Sequence, residues 1–306
     1  MPFKLDSQGD LRKQLRKAAS GQLDKALKAL RPRSHTARAK DASVHTSRKR
    51  LKEVRALLRL VRDGIGEKQF NRENKTLRDA ARPLSEVRDA TALIEALQSL
   101  QKRYAGTVNT STFKSARKAL GQRRTRIRRH ILLTGKVLTK TAFVVEKARN
   151  RAEQWNLKVG PWKVLQSGLH RSYKQGYKAM TDASKEASDE HLHEWRKRVK
   201  DLRYQLELLE PLWPEVMGVT AKQAKTLTEL LGDDHDLAVL RGLLENELKE
   251  TLKDEAVKIL QGLIDSRRAD LQHSALSLSE KLFAESPEQF VERIKTYWKA
   301  AAERQP

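Results

Sequence analysis

The sequence predicts an all-α protein made of two related halves, and three observations predict it. Glycine (14) and proline (8) are few among 306 residues, and they gather at breaks such as DGIGEK (63–68), KVGPW (158–162) and EPLWPEVMG (210–218). No run of alternating β-branched residues is long enough for a sheet strand. Third, VHTSRKRLKEVRALLRLV (44–61) returns as LHEWRKRVKDLRYQLELL (192–209), with eight of eighteen positions identical at an offset of 148. The shared positions are His45/His193, Arg48/Arg196, Lys49/Lys197, Arg50/Arg198, Lys52/Lys200, Arg55/Arg203, Leu58/Leu206 and Leu60/Leu208. An internal repeat of this kind sets the architecture before any single element is considered.

The same order of elements reads out of each half. A first helix over 10–30 is matched by 162–181, and the basic helix over 42–63 by 189–210. A short helix over 68–82 is matched by 219–231. The helix that starts at LSEVRDATALIEAL (84–97) is matched by LGDDHDLAVLRGLL (231–244), keeping Leu84/Leu231, Asp89/Asp236, Leu93/Leu240 and Leu97/Leu244. A long helix over 110–147 pairs with 251–284, and a helix near 287–301 ends the chain. The halves join near 151–160, which gives 1–155 and 156–306 as two helical-bundle repeats.

Charge separates the halves where pattern unites them. Net charge is +24, yet residues 1–150 hold 38 Lys+Arg against 13 Asp+Glu, and residues 151–306 hold 25 against 26. Such an excess repels itself unless a polyanion neutralises it, so nucleic acid, an anionic membrane and a phosphate polymer are candidate partners. With no cysteine, disulfides, thiol catalysis and zinc-thiolate sites are excluded. The opening MPFKLDSQGDLRKQL has no apolar core of a secretory signal, and no apolar run approaches the roughly 18–20 residues that cross a bilayer. A cytoplasmic protein without a membrane partner is expected.

At 100° per residue, His45, Arg48, Lys49, Lys52, Arg55, Arg59 and Arg62 fall on one helical sector about 140° wide. Val54, Leu57, Leu58 and Val61 fall opposite, toward a core. Like charges three and four residues apart destabilise an isolated helix by a few tenths of a kcal/mol per pair. A solvated face mixes signs to gain such pairs, and the only acidic residue in 44–61, Glu53, points off the stripe. An anion-binding face is the better reading. Basic residues recur on one side of other helices: Lys75, Arg78, Arg82 and Arg88; Lys114, Arg117, Arg124 and Arg128; Arg171, Lys174 and Lys178; Lys222 and Lys225. Converging, they would form a positive channel in which arginine forks bind phosphate oxygens.

The two His-x-x-Arg-Lys-Arg-x-Lys-x-x-Arg segments (His45 to Arg55, His193 to Arg203) resemble those of the CHAD family, the conserved-histidine α-helical domain. So do the Leu-x-x-x-x-Asp segments (Leu84/Asp89, Leu231/Asp236) and GLHRSYKQGYKAM (168–180). The resemblance covers essentially the whole chain. It implies two pseudo-symmetric four-helix bundles forming one compact CHAD unit around a basic central channel. It also implies binding of inorganic polyphosphate there, with polyphosphate granules as a location, and no catalysis or cofactor. Carried over, the binders are the His, Arg and Lys of the two motifs and the basic residues on facing helices. Two departures stand out: Glu207 and Glu210 occupy the places of Arg59 and Arg62, and His235 that of Arg88. The first copy is therefore expected to carry more of the binding.

Other motifs carry less. Glu245-Asn-Glu247-Leu-Lys249 imitates the Glu-x-Glu-x-Lys string of a triphosphatase strand, but in a helical run its two Glu point about 200° apart. The His-Leu-His at 191–193 fails as a metal pair for the same reason. In DDHD (233–236), Asp233 or Asp234 reads as a helix N-cap rather than a metal ligand. His130, His170 and His273 are isolated. His45 and His193 read either as satisfied helix residues or as phosphate donors. No metal site, Ser/His/Asp arrangement or Gly-rich phosphate loop stands out. Nucleic acid is the second function class, but single-strand binders interleave aromatics with cations. Only five of the sixteen aromatics lie in the basic half, and none is Trp. A polyphosphate-processing enzyme, or an accessory to one, is the third class; as an enzyme it lacks a carboxylate cluster to hold metal.

Overall fold

The computed structural model describes residues 3–303 apart from 33, 35, 135, 158 and 159. It is all-α, with no strand among the described residues. The first half runs α1 (Leu11–Leu30), α2 (Ala37–Leu60), α3 (Arg62–Ile65), α4 (Glu67–Ala81), α5 (Ser85–Arg103), α6 (Thr110–Arg128) and α7 (Val137–Ala152). The second runs α8 (Pro161–Lys185), α9 (Asp189–Leu209), α10 (Pro214–Asn246), α11 (Asp254–Leu282) and α12 (Pro287–Glu303). Helix starts are fixed by side-chain caps: Asp10, Thr36, Asn109 and Ser188 each accept from a backbone N–H two or three residues on. Proline opens α8, α10 and α12 at positions where its missing N–H costs nothing.

The halves differ where local chemistry differs. Pro83 breaks the first half between α4 and α5 with a 3-10 turn over Arg82–Leu84. The second half has no proline there, so α10 runs unbroken for 33 residues across the two helices expected at 219–231 and 231–244. Asp233 and Asp234 therefore cap nothing. Asp234, 1% exposed, instead accepts from Arg268 Nε at 2.9 Å and Gln272 Nε2 at 2.8 Å. The helix expected over 110–147 is likewise divided, by a π-helical stretch (Arg129–Thr134) and the left-handed Lys136 (φ 46°). The basic helix ends at Leu60, short of Arg62, which starts α3.

Two cores hold the chain, and neither stops at 155/156. The larger takes α1, α2, α4 and α7 from the first half, then α8, α9, α12 and the first part of α10 from the second. The smaller is built from the far end of α5 (Leu93, Leu97, Leu100), α6 (Phe113, Ala116), the far end of α10 (Leu237, Leu240, Leu244) and α11 (Leu260, Ile264). The unbroken α10 thus ties one core to the other. At the crossing of α8 over the end of α2, a Cβ on Gly168 would lie 1.9 Å from the Leu60 carbonyl oxygen, so only glycine fits there. Close packing of α2 against α9 brings the two copies of the repeated motif face to face. Arg59 on α2 reaches Asp201 on α9 at 3.1 Å, and the buried Gln205 of α9 donates to the Ala56 carbonyl of α2 at 3.4 Å and to Ser172 Oγ of α8 at 2.9 Å.

Candidate functional site

Because α2 and α9 bury their leucines in the larger core, their motif cations turn outward into the cleft that α5 and α10 close from either side. The result is a cavity of about 390 Å³. Helix α2 contributes His45, Arg48, Lys49 and Lys52, and α9 contributes Arg196, Lys200, Arg203 and Tyr204. Helix α5 adds Arg88 and Asp89, and α10 adds Lys225, Glu229, His235 and Asp236. Equivalent positions of the two motif copies meet here: Arg48 with Arg196, and Lys52 with Lys200.

These four cations have few counter-ions, whereas Arg88, Arg203 and Lys225 of the same lining pair with Glu95, Glu207 and Glu229. Arg48 bonds Ser85 Oγ and stands 3.8 Å from Asp89, itself largely exposed. Among the described residues no carboxylate reaches ion-pair distance of Lys52, Lys200 or Arg196. The buried Nε of Arg196 has no hydrogen-bond partner. Its guanidinium lies along α10 where Gly232 has no side chain, with room there for an ordinary contact at 3.7 Å.

The crowding shows in proton affinities. Burial, then the neighbouring Lys200, Arg48 and Arg196, push the Lys52 ammonium down to about 6. Burial, then Arg196 and Arg203 of its own helix and Arg48 across the cleft, push Lys200 down to about 8. Burial lowers His45, with Arg88 adding to it, and lowers His193, with Arg196 adding to it. His235, buried beside Arg196, falls to about 4. Asp236 moves up, because burial outweighs the pull of Arg196 and Arg88. A site so disposed favours an incoming anion that restores charge balance.

Of the basic residues singled out by sequence, His45, Arg48, Lys49, Lys52, Arg88, Arg196, Lys200, Arg203 and Lys225 line this one cavity. His193 stands beside it, its Nδ1 3.3 Å from that of His235. The others stand elsewhere. Arg55 donates to Asn74 at 2.9 Å, its guanidinium lowered to about 10 by burial, and Arg59 pairs with Asp201. Lys75, Arg78 and Arg82 lie exposed on or just past α4, Arg78 bonded to Asp79. Arg117 is exposed on α6, Arg124 is half-buried, and Arg128 pairs with Asp41 at 3.2 Å. Arg171, Lys174 and Lys178 line a separate groove beside α12, with Arg171 held to Asp63 and Lys178 to Asp182. Lys197 pairs with Glu194, and Lys222 is exposed on α10.

Sequence reasoning did not assign Tyr204, Glu229, His235, Asp89 or Asp236 to the site. The last two were visible as a repeated Leu-x-x-x-x-Asp, and His235 as the counterpart of Arg88. Nothing in the sequence marks Tyr204 or Glu229. The Glu-x-Glu-x-Lys string begins in the last turn of α10, with Glu247 bonded to Arg123. Among the described residues no group of three or more His, Cys, Asp or Glu is placed to share a metal ion. Nor is any helix long and apolar enough to cross a membrane.

The fold is similar to the crystal structure of the CHAD domain from the plant Ricinus communis, at 15% identity and a TM-score of 0.63, over 90% of this chain and 95% of that one. It is similar also to PptA from Streptomyces chartreusis, at 14% identity and a TM-score of 0.59, over 95% of this chain and 98% of that one. Among curated proteins, none matches. The sequence model of the CHAD domain matches residues 21–245, which include every residue lining the cavity, and the chain belongs to the CHAD domain family.

Proposed function

We propose that this protein binds inorganic polyphosphate without acting on it, and that the cavity between α2, α5, α9 and α10 is its main site. The observation that carries the reading is the meeting of Arg48, Lys52, Arg196 and Lys200, drawn from both motif copies, with a single carboxylate at the edge of reach. The family relates to polyphosphate binding in general, which supports the same ligand. A chain of phosphates offers oxygens on every side and no base to stack. The cavity offers cationic donors and one aromatic ring other than histidine, the buried Tyr204. Duplex DNA, a rod about 20 Å across, cannot enter a cleft of this volume. The exposed cations on α4, α6 and α8 provide a secondary surface along which a long polymer extends, and a route by which the protein gathers on polyphosphate granules.

Binding is expected to be submicromolar for long-chain polyphosphate and to weaken steeply with salt, because released counterions drive it. Pyrophosphate, spanning one or two cations, binds far more weakly. The test is competition of long-chain polyphosphate against single-stranded and duplex DNA at one stated salt concentration. Preference for polyphosphate supports the reading, and equal affinity for all three replaces it with general anion binding. Steady release of phosphate, with or without a divalent ion, would move the protein to the enzymes.

A further inference from the structure

Lys52 is set apart from a surface lysine by what surrounds its amine. It lies half-buried in the cleft, where α9 turns Lys200 and Arg196 toward it and its own helix adds Arg48. The nearest acidic influence is Asp89 on α5, beyond ion-pair distance. We propose that Lys52 is a reactive amine, a modification site for small aldehydes that carry a phosphate group.

The surroundings supply both requirements of such chemistry. A lysine attacks carbonyl carbon only when its nitrogen has lost the extra proton, and desolvation beside other cations favours that form. The proton affinity of Lys52, down to about 6, leaves it mostly neutral at pH 7. The arginines that disfavour the ammonium are also donors for a phosphate, so an aldehyde tethered to one is held with its carbonyl near the amine. The Lys52 lone pair forms a bond to the carbonyl carbon, and an amine proton passes to the oxygen. Loss of water from the carbinolamine then leaves the imine. No redox partner is needed.

The inference rests on the reading that the cavity takes phosphate groups, and the experiment separates the two. The full-length protein is incubated with pyridoxal 5′-phosphate and reduced with borohydride, which delivers hydride to the imine carbon and fixes the adduct. Peptide mapping then locates it. The expected result is labelling of Lys52 at least about tenfold faster than exposed lysines such as Lys75 or Lys222. The rate should level off once pH passes about 6, while exposed lysines keep gaining toward their ordinary value. Pyridoxal without its phosphate should label Lys52 poorly, and Lys52→Arg should lose the adduct. Labelling of Lys52 no faster than the exposed lysines, or equal labelling by pyridoxal, overturns the proposal even if polyphosphate binds. Preferential labelling that polyphosphate does not suppress upholds the reactive amine and instead removes polyphosphate from this cavity.

Discussion

Two half-buried lysines, Lys52 and Lys200, hold their amines among like charges, and this makes them sensors of anything negative that enters. The proton affinity of each is depressed in the folded protein, to about 6 and about 8, so near pH 7 the free protein holds Lys52 mostly as the neutral amine and Lys200 mostly as the ammonium. A bound polyanion favours the ammonium, and binding then takes up protons wherever the free amines have lost them. Affinity for polyphosphate should therefore rise as pH falls from 9 to 6. Calorimetry in buffers of different ionisation enthalpy should show net proton uptake, and an uptake of zero across that range would contradict the placement of both amines. Stability of the free protein has the opposite sign. Protonating Lys52 costs folding energy, so that cost is fully present below about pH 6 and fades as pH rises toward the ordinary lysine value. Lys52→Met should raise the melting temperature of the free protein by roughly 2–4 °C, the shift of about 1 kcal/mol in a chain of this class. The same change should weaken polyphosphate binding. A fall in both would mean that Lys52 is structural. The stripe of cations was legible from helical spacing, but which of them lack counter-ions was not. Arg59 and Arg62 share the stripe in sequence, yet Asp201 from α9 and Glu67 from α4 neutralise them.

At the scale of elements, the sequence read helix identity well and helix continuity poorly. Spacing and capping placed α1, α8, α9 and α12 to within a few residues, because each has its own start signal and a single apolar face. The DDHD segment was misread because an aspartate before an apolar run looks the same whether it caps a new helix or sits within a long one. What decides is a partner far along the chain, Arg268 on α11. Asp234→Ala should remove one of the two carboxylates that hold Arg268, Asp189 being the other, and destabilise by about 1.5–3 kcal/mol, the range of a hydrogen bond to a charged group. Chemical denaturation measures it, and a change below about 0.5 kcal/mol, the range of a surface substitution, would mean that the buried pair contributes nothing to stability. A second element-scale test concerns the α2–α8 crossing. Gly168→Ala sets a methyl group against the Leu60 backbone, which cannot yield as a side-chain tip would. The variant should melt well below the parent, and polyphosphate should recover part of the loss by binding only the folded form. A full-stability variant would show that the helices cross with more space than described.

For the whole molecule, where the charges are placed says more than how many there are. The first half carries the excess, 38 basic against 13 acidic residues in 1–150, and the second motif's stripe ends at Glu207 and Glu210, so the sequence alone favours the first copy as the stronger binder. The fold divides the cavity evenly instead, because α2 with α5 faces α9 with α10. It leaves many first-half cations outside: Arg55 on Asn74, Arg128 on Asp41, and Arg78 in solvent beside Asp79. Replacing Arg196, Lys200 and Arg203 together by Ala should thus cost at least as much affinity as replacing Arg48, Lys52 and Arg55, the reverse of what charge counting gives. Arg203 and Arg55 make the difference: Arg203, though paired with Glu207, lines the cavity, and Arg55 does not. The most direct test of the central claim sets the cavity against the surface at equal charge. The dissociation constant of long-chain polyphosphate should be measured at about 0.15 M salt, near the physiological value. The proteins compared are the wild type, the cavity variant Arg48→Ala/Arg196→Ala/Lys200→Ala and the surface variant Lys75→Ala/Arg78→Ala/Arg82→Ala, with melting curves to confirm that all are folded. The cavity variant should bind at least about 100-fold more weakly, since each charged hydrogen bond it loses contributes roughly 1.5–3 kcal/mol. The surface variant should lose no more than about fivefold, roughly 1 kcal/mol in all, as exposed charges at the low end of their range contribute about 0.3 kcal/mol each. Equal losses in the two variants would contradict the cavity as the site and leave only the overall charge.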